Sequence, residues 1–243
     1  AFEVVGLSAH GNSKLFADQV AEFAPQHNLL TGAVENPTRA LESLAVLDEA
    51  DLIVNALAGS VGLMPTFAAC KAGKTIALAN KESIVMAGQL LMDLARSTGA
   101  RILPVDSEAS ALWRMFEHES GSGIGNSHVE KITLTASGGP FWKYSPRQLH
   151  TVTAAQARKH PTWKMGEKVS IDSATLMNKA FEIIESSFLF SLPPEKIDVT
   201  IHPQSLVHSF VHHADGNVLA LLSQTDMRIP ISYALFYPQK KTT

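Results

Sequence analysis

Two carboxylates separated by one serine are the residues in this chain best suited to chemistry. Asp106, Ser107 and Glu108 directly follow the apolar run 102–105, which predicts a buried strand. In an extended segment, residues two apart project to the same side, so both carboxylates would face one point. Such a pair favours a cation, and hard oxygen ligands suit Mg²⁺ or Mn²⁺. The alternative is a solvated acidic turn, which is the better interpretation of this pattern taken alone.

A helix predicted over residues 174–190 carries three polar side chains at helical spacing. Ser173 is a plausible N-cap. Asn178 and Lys179 lie four and three residues before Glu182, so all three can lie on one edge of the helix. An amide, an ammonium and a carboxylate on one edge of a helix suit a polyhydroxy phosphate and a metal. The alternative is an ordinary Lys–Glu surface pair.

Two further segments predict contacts to a phosphate or a movable cover. Ser137 and two glycines follow a predicted strand, where exposed backbone N–H groups bind phosphate well, although a plain turn explains them equally. His160 opens the segment 160–166, in which Trp163 and Met165 between Pro and Gly resemble a hinged flap. The alternative is a loop whose tryptophan packs on the core. Four other histidines have no metal-type spacing, and we interpret them as structural: His202, His208, His212 and His213.

Polar residues also follow two earlier predicted strands. Asn80, Lys81 and Glu82 come after the strand 74–79 and open a helix, and ligands bind at this end of strands in open α/β sheets. A lysine there would hydrogen-bond a substrate oxygen, whereas the alternative is a polar helix start. The segment 59–62 follows another predicted strand. It could lie close to a cofactor, or it could be a tight turn between strand and helix, and the two interpretations are equally good.

The elements that must position these residues fall into two parts. Residues 1–105 alternate strands (2–7, 51–57, 74–79, 101–105) with helices (13–22, 63–71, 83–97), which predicts a parallel, Rossmann-like α/β sheet. Residues 106–243 hold strands at 131–136, 197–201, 205–212 and 218–223, with a hairpin signal at Asp215-Gly216 and one clear helix. This pattern predicts an α+β domain whose exposed strands a partner subunit could cover.

Composition excludes several classes of protein. The chain has 243 residues, a net charge of −3 and one cysteine, so neither a basic nucleic-acid surface nor an internal disulfide is expected. No apolar run is long enough to span a bilayer, and no signal or transit peptide precedes the first strand. We therefore expect a cytoplasmic protein without membrane or nucleic-acid partners, with a plastid as the alternative location.

Six motifs in order make the pattern far more specific than any one of them. The chain contains L-A-N-K-E-S, L-P-V-D-S-E, T-A-S-G-G-P-F, H-P-T-W-K-M-G, D-S-A-T-L-M-N-K and I-H-P-Q-S-L-V-H-S. It closely resembles the 1-deoxy-D-xylulose 5-phosphate reductoisomerase family over nearly its whole length. The resemblance implies NADPH- and divalent-metal-dependent rearrangement and reduction of 1-deoxy-D-xylulose 5-phosphate to 2-C-methyl-D-erythritol 4-phosphate, in non-mevalonate isoprenoid biosynthesis. It also implies a homodimer.

The resemblance assigns a role to each matched residue. The metal ligands would be Asp106, Glu108 and Glu182, and the catalytic residues Lys81, Glu108 and Glu182. The substrate-binding residues would be Lys81, Ser107, Glu108, Ser137, His160, Trp163, Met165, Ser173, Asn178, Lys179 and Glu182. The cofactor contacts would be His10, Gly11, Asn12, Asn80, Glu82 and Gly166, with His10 where the family usually has glycine.

The resemblance also implies a partial chain. The family's glycine-rich phosphate loop would precede residue 1, and its C-terminal helical domain would follow Thr243. Since that loop holds the pyrophosphate, we expect weak NADPH binding by residues 1–243 alone. Two alternatives stay open: an inactive fragment that binds sugar phosphate or metal, and another two-domain NAD(P)-dependent dehydrogenase.

Overall fold

The structure, a computed structural model, describes residues 2–120, 128–161 and 165–237. The chain forms two compact units, Ala1–Leu103 and Pro104–Thr243. The assignment of cofactor to the first part and of metal and substrate to the second stays a prediction. Among the described residues, no helix is both long and apolar enough to cross a membrane.

The first unit is a parallel α/β structure. Its strands are β1 (Gly6–Ala9), β2 (His27–Leu30), β3 (Leu52–Asn55), β4 (Thr75–Leu78) and β5 (Arg101–Pro104). Its helices are α1 (Ser13–Phe23), α2 (Pro37–Ala45), α3 (Leu63–Lys71) and α4 (Lys81–Thr98). Strands β1 and β2 pair in parallel, and β3 pairs in parallel with β4 in a separate sheet of order β3-β4-β5. The fold class is therefore as predicted, although the strands lie in two sheets.

Most of the predicted elements in this unit are confirmed, and the first strand is the exception. Helix α3 has the predicted bounds, but the strand predicted over 2–7 begins only at Gly6. Helix α1 buries Phe16, while its apolar residues Leu15 and Phe23 are exposed. Strand β2 and helix α2 were not predicted, although the Asn36 side chain accepts a hydrogen bond from Arg39 N in an N-cap with Pro37 behind it.

The second unit is a four-stranded mixed sheet with helices. Its strands are β6 (Val129–Ala136), β7 (Ile197–Ile201), β8 (Val207–His213) and β9 (Val218–Leu222), in the order β7-β6-β8-β9. Strand β6 is parallel to β7 and antiparallel to β8, which forms the predicted hairpin with β9. The helices are α5 (Ser107–Ser120), α6 (Pro146–Leu149), α7 (Ala154–Ala157), α8 (Glu167–Ala174), α9 (Met177–Phe190) and α10 (Arg228–Phe236). Of these, α9 falls within the helix predicted over 174–190, while α6, α7, α8 and α10 were not predicted.

One apolar core joins the sheet to α5. It contains Leu112, Met115, Phe116, Val129, Ile132, Leu134, Leu192, Ile197 and Val211. Ile132 and Leu134 alternate along β6 and face this core, as the strand period of two requires. The core therefore holds α5 against the sheet.

The helix predicted over 174–190 is confirmed over Met177–Phe190 as α9, but its predicted start is wrong. Helix α8 ends at Ala174, and Leu176 takes a left-handed conformation with φ of 61° before α9 begins. The Thr175 hydroxyl donates to the carbonyl oxygens of Ile171 and Asp172, which satisfies the end of α8. Ser173 therefore lies in the last turn of α8 and is not the N-cap of α9.

Candidate active site

Three carboxylates from distant parts of the sequence meet in the second unit. Asp106, Glu108 and Glu182 each place an oxygen within 4.8 Å of the other two. Glu182 is buried at 1% exposure, and the other two are half-buried. These are the three residues expected to be metal ligands.

The local explanation for Asp106 and Glu108 was wrong, although the two acids do come together. Ser107 and Glu108 form the first turn of α5 rather than the end of an extended strand. A helix N-terminus carries partial positive charge, so an acidic first turn is favourable there. The Ser107 hydroxyl donates to Glu108 Oε2 at 2.7 Å, and Ser209 on β8 donates its hydroxyl to the Glu108 carbonyl oxygen at 3.0 Å. These contacts hold the start of α5.

Lys179 supplies the positive charge that this acidic group requires. Its ammonium lies 2.9 Å from Glu108 Oε1 and also donates to Glu182 Oε2. Burial lowers the pKa of Lys179, but the carboxylates of Glu108 and Glu182 outweigh burial and hold that pKa above its ordinary value. The Asn178 side-chain amide donates to Glu182 Oε1. Asn178 and Lys179, which are adjacent on α9, therefore both contact the Glu182 carboxylate.

The donor set fits a small divalent cation. All three groups offer hard carboxylate oxygens, which Mg²⁺ and Mn²⁺ prefer. Oxygens on opposite sides of one such ion are about 4.2 Å apart. A spread of up to 4.8 Å therefore needs only small side-chain adjustments. Lys179 already contacts two of the three acids. A bound ion would therefore either lie beside the Lys179 ammonium or take its place next to these carboxylates.

A second polar cluster in the same unit joins three of the residues expected to hold a phosphate. Ser137 Oγ lies 2.8 Å from His160 Nε2 and 3.5 Å from Ser173 Oγ. Burial lowers the pKa of His160, so the neutral imidazole is favoured in the folded protein. Gly138 and Gly139 have φ values of +80° and +65°, and Gly139 N donates to Ser137 Oγ at 3.2 Å. The glycines thus form a tight turn that brings Ser137 to α8.

The flap residues are only partly described. Trp163 lies outside the described residues, while Met165 is half-buried and Gly166 precedes α8. The Gly166 carbonyl oxygen accepts hydrogen bonds from the backbone and hydroxyl of Ser170. Gly166 therefore begins α8, and its expected contact to a cofactor stays a prediction.

The expected cofactor residues in the first unit follow two parallel strands. His10, Gly11 and Asn12 lie between β1 and α1, where Asn12 caps the helix through Leu15 N at 3.1 Å. His10 Nδ1 lies 3.0 Å from Thr31 Oγ1 at the end of β2. Their position after a strand and before a helix is the usual ligand side of a parallel sheet.

Asn80, Lys81 and Glu82 lie at the corresponding end of β4. Asn80 caps α4 and Lys81 is its first residue, with Glu82 in the first turn. Asn80 and Lys81 are 1% and 7% exposed, so both are part of the packed interior of this unit.

Ser209 supports the acidic group and was not predicted from the sequence, and the neighbouring His208 was interpreted as structural. Ser209 anchors Glu108 through its carbonyl oxygen, and His208 beside it is 4% exposed with Nε2 2.9 Å from Ser223 Oγ. Burial lowers the pKa of His208, against the charge of Glu108, which raises it. The pairing of α5 with β8 across about a hundred residues has no local sequence signal, so neither residue could be identified from spacing.

Comparison with known proteins gives the family. A family model described as 1-deoxy-D-xylulose 5-phosphate reductoisomerase matches residues 27–88, and one described as its C-terminal domain matches residues 102–190. The reductoisomerase of Geotalea uraniireducens is 44% identical and that of Thermoanaerobacter pseudethanolicus 46%. These matches cover 100% and 98% of this chain, which spans 66% and 65% of the length of these two relatives.

Solved structures agree with the sequence relatives. A reductoisomerase in complex with NADPH, fosmidomycin and magnesium superposes with a TM-score of 0.82 at 40% identity, covering 98% of this chain and 59% of that chain. The Zymomonas mobilis enzyme in complex with NADPH gives 0.85 at 38% identity, covering 100% and 65%. Because two family models match separate parts of the sequence and relatives match nearly all of it, the chain belongs to the 1-deoxy-D-xylulose 5-phosphate reductoisomerase family.

Proposed function

We propose that this protein converts 1-deoxy-D-xylulose 5-phosphate to 2-C-methyl-D-erythritol 4-phosphate, with NADPH and Mg²⁺ or Mn²⁺. The observation that carries the proposal is the meeting of Asp106, Glu108 and Glu182, from the start of α5 and from α9, within 4.8 Å. Such a group suits a divalent ion, and the chain belongs to a family whose solved members include complexes with magnesium and with NADPH.

The three acids would hold the metal, with Ser107 beside them. A divalent ion held by these residues would supply Lewis-acid chemistry to the substrate. The Ser107 hydroxyl donates to Glu108 in this structure. The hydroxyl is neutral, so it could rotate to donate to a substrate oxygen without removing a charge from the site. Lys179, held between Glu108 and Glu182, would leave the acids as the ion enters and offer its ammonium to the substrate phosphate.

The cluster of Ser137, His160 and Ser173 would bind the phosphate. Two hydroxyls and an imidazole converge there, and the glycine turn after β6 adds backbone N–H groups. Binding the phosphate at a distance from the reacting carbons supplies orientation that the reaction needs. Trp163 and Met165 would cover this site and exclude water from a reactive aldehyde.

The reaction has two chemical steps. One carbon–carbon bond of the sugar phosphate breaks and another forms, which gives a branched aldehyde of the same composition. NADPH then supplies a hydride and a proton is taken up, so that the aldehyde becomes an alcohol and NADP⁺ is released. Lys81 would hydrogen-bond a substrate oxygen, while the strand-end segments at His10–Asn12 and Asn80–Glu82 would hold the cofactor.

Loss of NADPH absorbance with the sugar phosphate and Mn²⁺ tests the proposal. Turnover should require the sugar phosphate and should stop when EDTA removes the metal. The product should be identified as the branched erythritol phosphate by mass and NMR. Binding of metal and sugar phosphate without NADPH oxidation would overturn the proposed activity and favour a non-catalytic binding protein.

We also propose that the protein is a homodimer formed through β9. This strand lies at the edge of the second unit's sheet, where its backbone groups are open to another chain. Val218 and Leu222, on one side of the strand, are 51% and 64% exposed. A second copy of the same surface would cover both, as twofold symmetry requires.

Sedimentation equilibrium tests the dimer. The wild-type protein should sediment as a dimer, and Leu222→Glu should shift it to a monomer. Leu90→Glu, at a comparably exposed leucine on α4 in the other unit, is the matched control and should leave the dimer intact. A wild-type monomer, or a Leu222→Glu dimer of unchanged affinity, would contradict the proposed interface.

We propose a bacterial cytoplasmic location, because the relatives reported above are bacterial proteins. Fractionation of the source cells, with detection of the protein by antibody, tests this location. Recovery in a plastid fraction would contradict it.

A further inference from the structure

The Asn80 side chain is bonded at both ends of its amide. Its Nδ2 donates to the carbonyl oxygens of Leu57 at 2.6 Å and Gly59 at 2.9 Å. Its Oδ1 accepts from the backbone N and the hydroxyl of Ser83, at 3.0 and 2.5 Å. The side chain therefore joins the loop after β3 to the first turn of α4, and little of it is available to a ligand.

Asn55, the last residue of β3, also holds the loop 57–62 in place. Asn55 Nδ2 donates to the Gly62 carbonyl oxygen at 2.9 Å and to Thr66 Oγ1 at 2.7 Å. Gly62 is in close contact with Asn80, since a Cβ at this position would lie 2.4 Å from Asn80 Cγ. Buried amides satisfied in this way specify one backbone arrangement.

This arrangement lies where function is expected. The loop 57–62 and the start of α4 follow parallel strands β3 and β4 at their carboxyl ends, the ligand side of such sheets. Lys81, the next residue after Asn80, is the expected contact to a substrate oxygen. A shift of the loop or of the first turn of α4 would therefore move Lys81 and the backbone expected to face the cofactor.

We propose that Asn80 is a positioning residue for NADPH and the sugar phosphate. Its amide fixes the loop 57–62 against α4 and thereby sets the place of Lys81. A contact from Asn80 to the cofactor would then come from its backbone. The inference rests on the proposed function for the identity of the ligands, while the geometry of the clamp is independent of it.

Asn80→Asp separates this role from simple helix capping. Aspartate caps a helix as well as asparagine does, so a residue that only caps would tolerate the change. An ionised aspartate accepts hydrogen bonds only. It would face the carbonyl oxygens of Leu57 and Gly59, with Glu82 Oε2 also 3.2 Å from the original nitrogen. Asn36→Asp is the matched control, because Asn36 caps the exposed start of α2 by accepting a hydrogen bond from Arg39 N.

Steady-state kinetics and NADPH titration provide the decisive comparison. Asn80→Asp should raise the KM for the sugar phosphate and the Kd for NADPH at least about tenfold, the effect of two lost buried hydrogen bonds. Asn36→Asp should stay within about twofold of wild type. A merely structural role would lower the folded fraction and hence the apparent kcat, and would leave KM and Kd unchanged.

Amide hydrogen exchange reports the clamp without any turnover. Exchange in the loop 57–62 should be faster in Asn80→Asp than in wild type, and unchanged in Asn36→Asp. If wild type fails to oxidise NADPH, the proposed function fails, and the exchange result still decides the clamp. If Asn80→Asp does not fold, Asn80→Ser keeps a capping oxygen and removes the amide donors. Wild-type exchange, KM and Kd in the folded variant would overturn the inference.

Discussion

Lys179 Nζ lies 2.9 Å from Glu108 Oε1, which joins α9 to the first turn of α5 across 71 residues of sequence. The same ammonium contacts Glu182, so one positive charge lies between two of the three acids. Burying such a charge is favourable only because both carboxylates remain close to it. A divalent ion entering the group therefore competes directly with Lys179, and this competition should be measurable.

Lys179→Met should make the protein more dependent on metal. Without the ammonium, buried acids face one another, and the free energy of unfolding without metal should fall by about 3 kcal/mol or more. Added Mn²⁺ should raise the melting temperature more than in wild type, because it no longer displaces an ammonium. Thermal melts with and without Mn²⁺ measure both effects.

Lys168→Met is the matched control for this change. Lys168 pairs with Asp172 at 2.7 Å on the surface of α8, and its loss should cost less than about 1 kcal/mol. Its response to Mn²⁺ should equal that of wild type. Equal shifts with Mn²⁺ in Lys179→Met and wild type would show that ion and ammonium do not compete.

Glu182→Gln should remove metal binding while keeping the shape of the side chain. One of three negative charges is lost, and the Mn²⁺ dissociation constant should rise by more than about a hundredfold. Metal-dependent turnover should be abolished. Isothermal titration with Mn²⁺ measures the affinity.

The control for Glu182→Gln lies one turn further along the same helix. Glu185 is as buried as Glu182, at 1% exposure, but its oxygens do not belong to the three-acid group. Glu185→Gln should keep the Mn²⁺ affinity within about tenfold of wild type. Unchanged affinity in Glu182→Gln would refute its assignment as a ligand.

The regular elements of this chain could be predicted where the local pattern is strong. Strand β7 and helix α3 have the predicted bounds, because an apolar run or a helical stripe defines each of them. The break between α8 and α9 could not be predicted, since the apolar spacing continues through Leu176, which takes a conformation rare for leucine. Short β2 offers only four residues, of which two are exposed.

The site shows the same division between local and distant information. The family resemblance assigned Asp106, Glu108 and Glu182 to a metal, whereas the spacing of the first two, taken alone, favoured a solvated acidic turn. The strand geometry first assumed for these two residues was wrong. The contacts of Lys179 to Glu108 and of Ser209 to the same residue depend on how the helices and sheet pack. No spacing rule within one element can predict them.

His160 should make stability depend on pH in a defined direction. Burial lowers the pKa of His160 below the ordinary value of 6.5. Below that pH the unfolded chain binds a proton that the folded protein resists, so stability present above pH 6.5 is lost as the pH falls. The slope from this one group is at most about 1.4 kcal/mol per pH unit. Urea unfolding of wild type and His160→Asn at several values between about pH 7.5 and pH 5 measures the difference in the free energy of unfolding.

His208, whose pKa burial also lowers, is present in both proteins and cancels in that comparison. A steeper loss of stability in His160→Asn than in wild type would contradict the expected direction.

Cys70 should be unreactive in the folded protein. Its side chain is fully buried, and burial raises the pKa of the thiol to about 11. Because the thiolate is the reactive form, a disulfide reagent at about pH 8 should label almost no native protein. In denaturant it should label one thiol per chain, since Cys70 is the single cysteine. Rapid labelling of the native protein would show that α3 opens readily.

Gly139→Ala should weaken phosphate binding more than it weakens the fold. Gly139 has a φ of +65°, and an added Cβ would lie 2.8 Å from the Ser173 carbonyl oxygen. The backbone conformation costs about 1–3 kcal/mol for alanine, and the clash would separate Ser137 from Ser173. Gly216→Ala in the β8–β9 hairpin is the matched control, because its φ is +89° and no atom lies within 4 Å of its added Cβ. Both variants should melt at lower temperature, but only Gly139→Ala should raise the KM for the sugar phosphate, by about tenfold or more. An equal KM in the two variants would mean that the turn after β6 does not hold the phosphate.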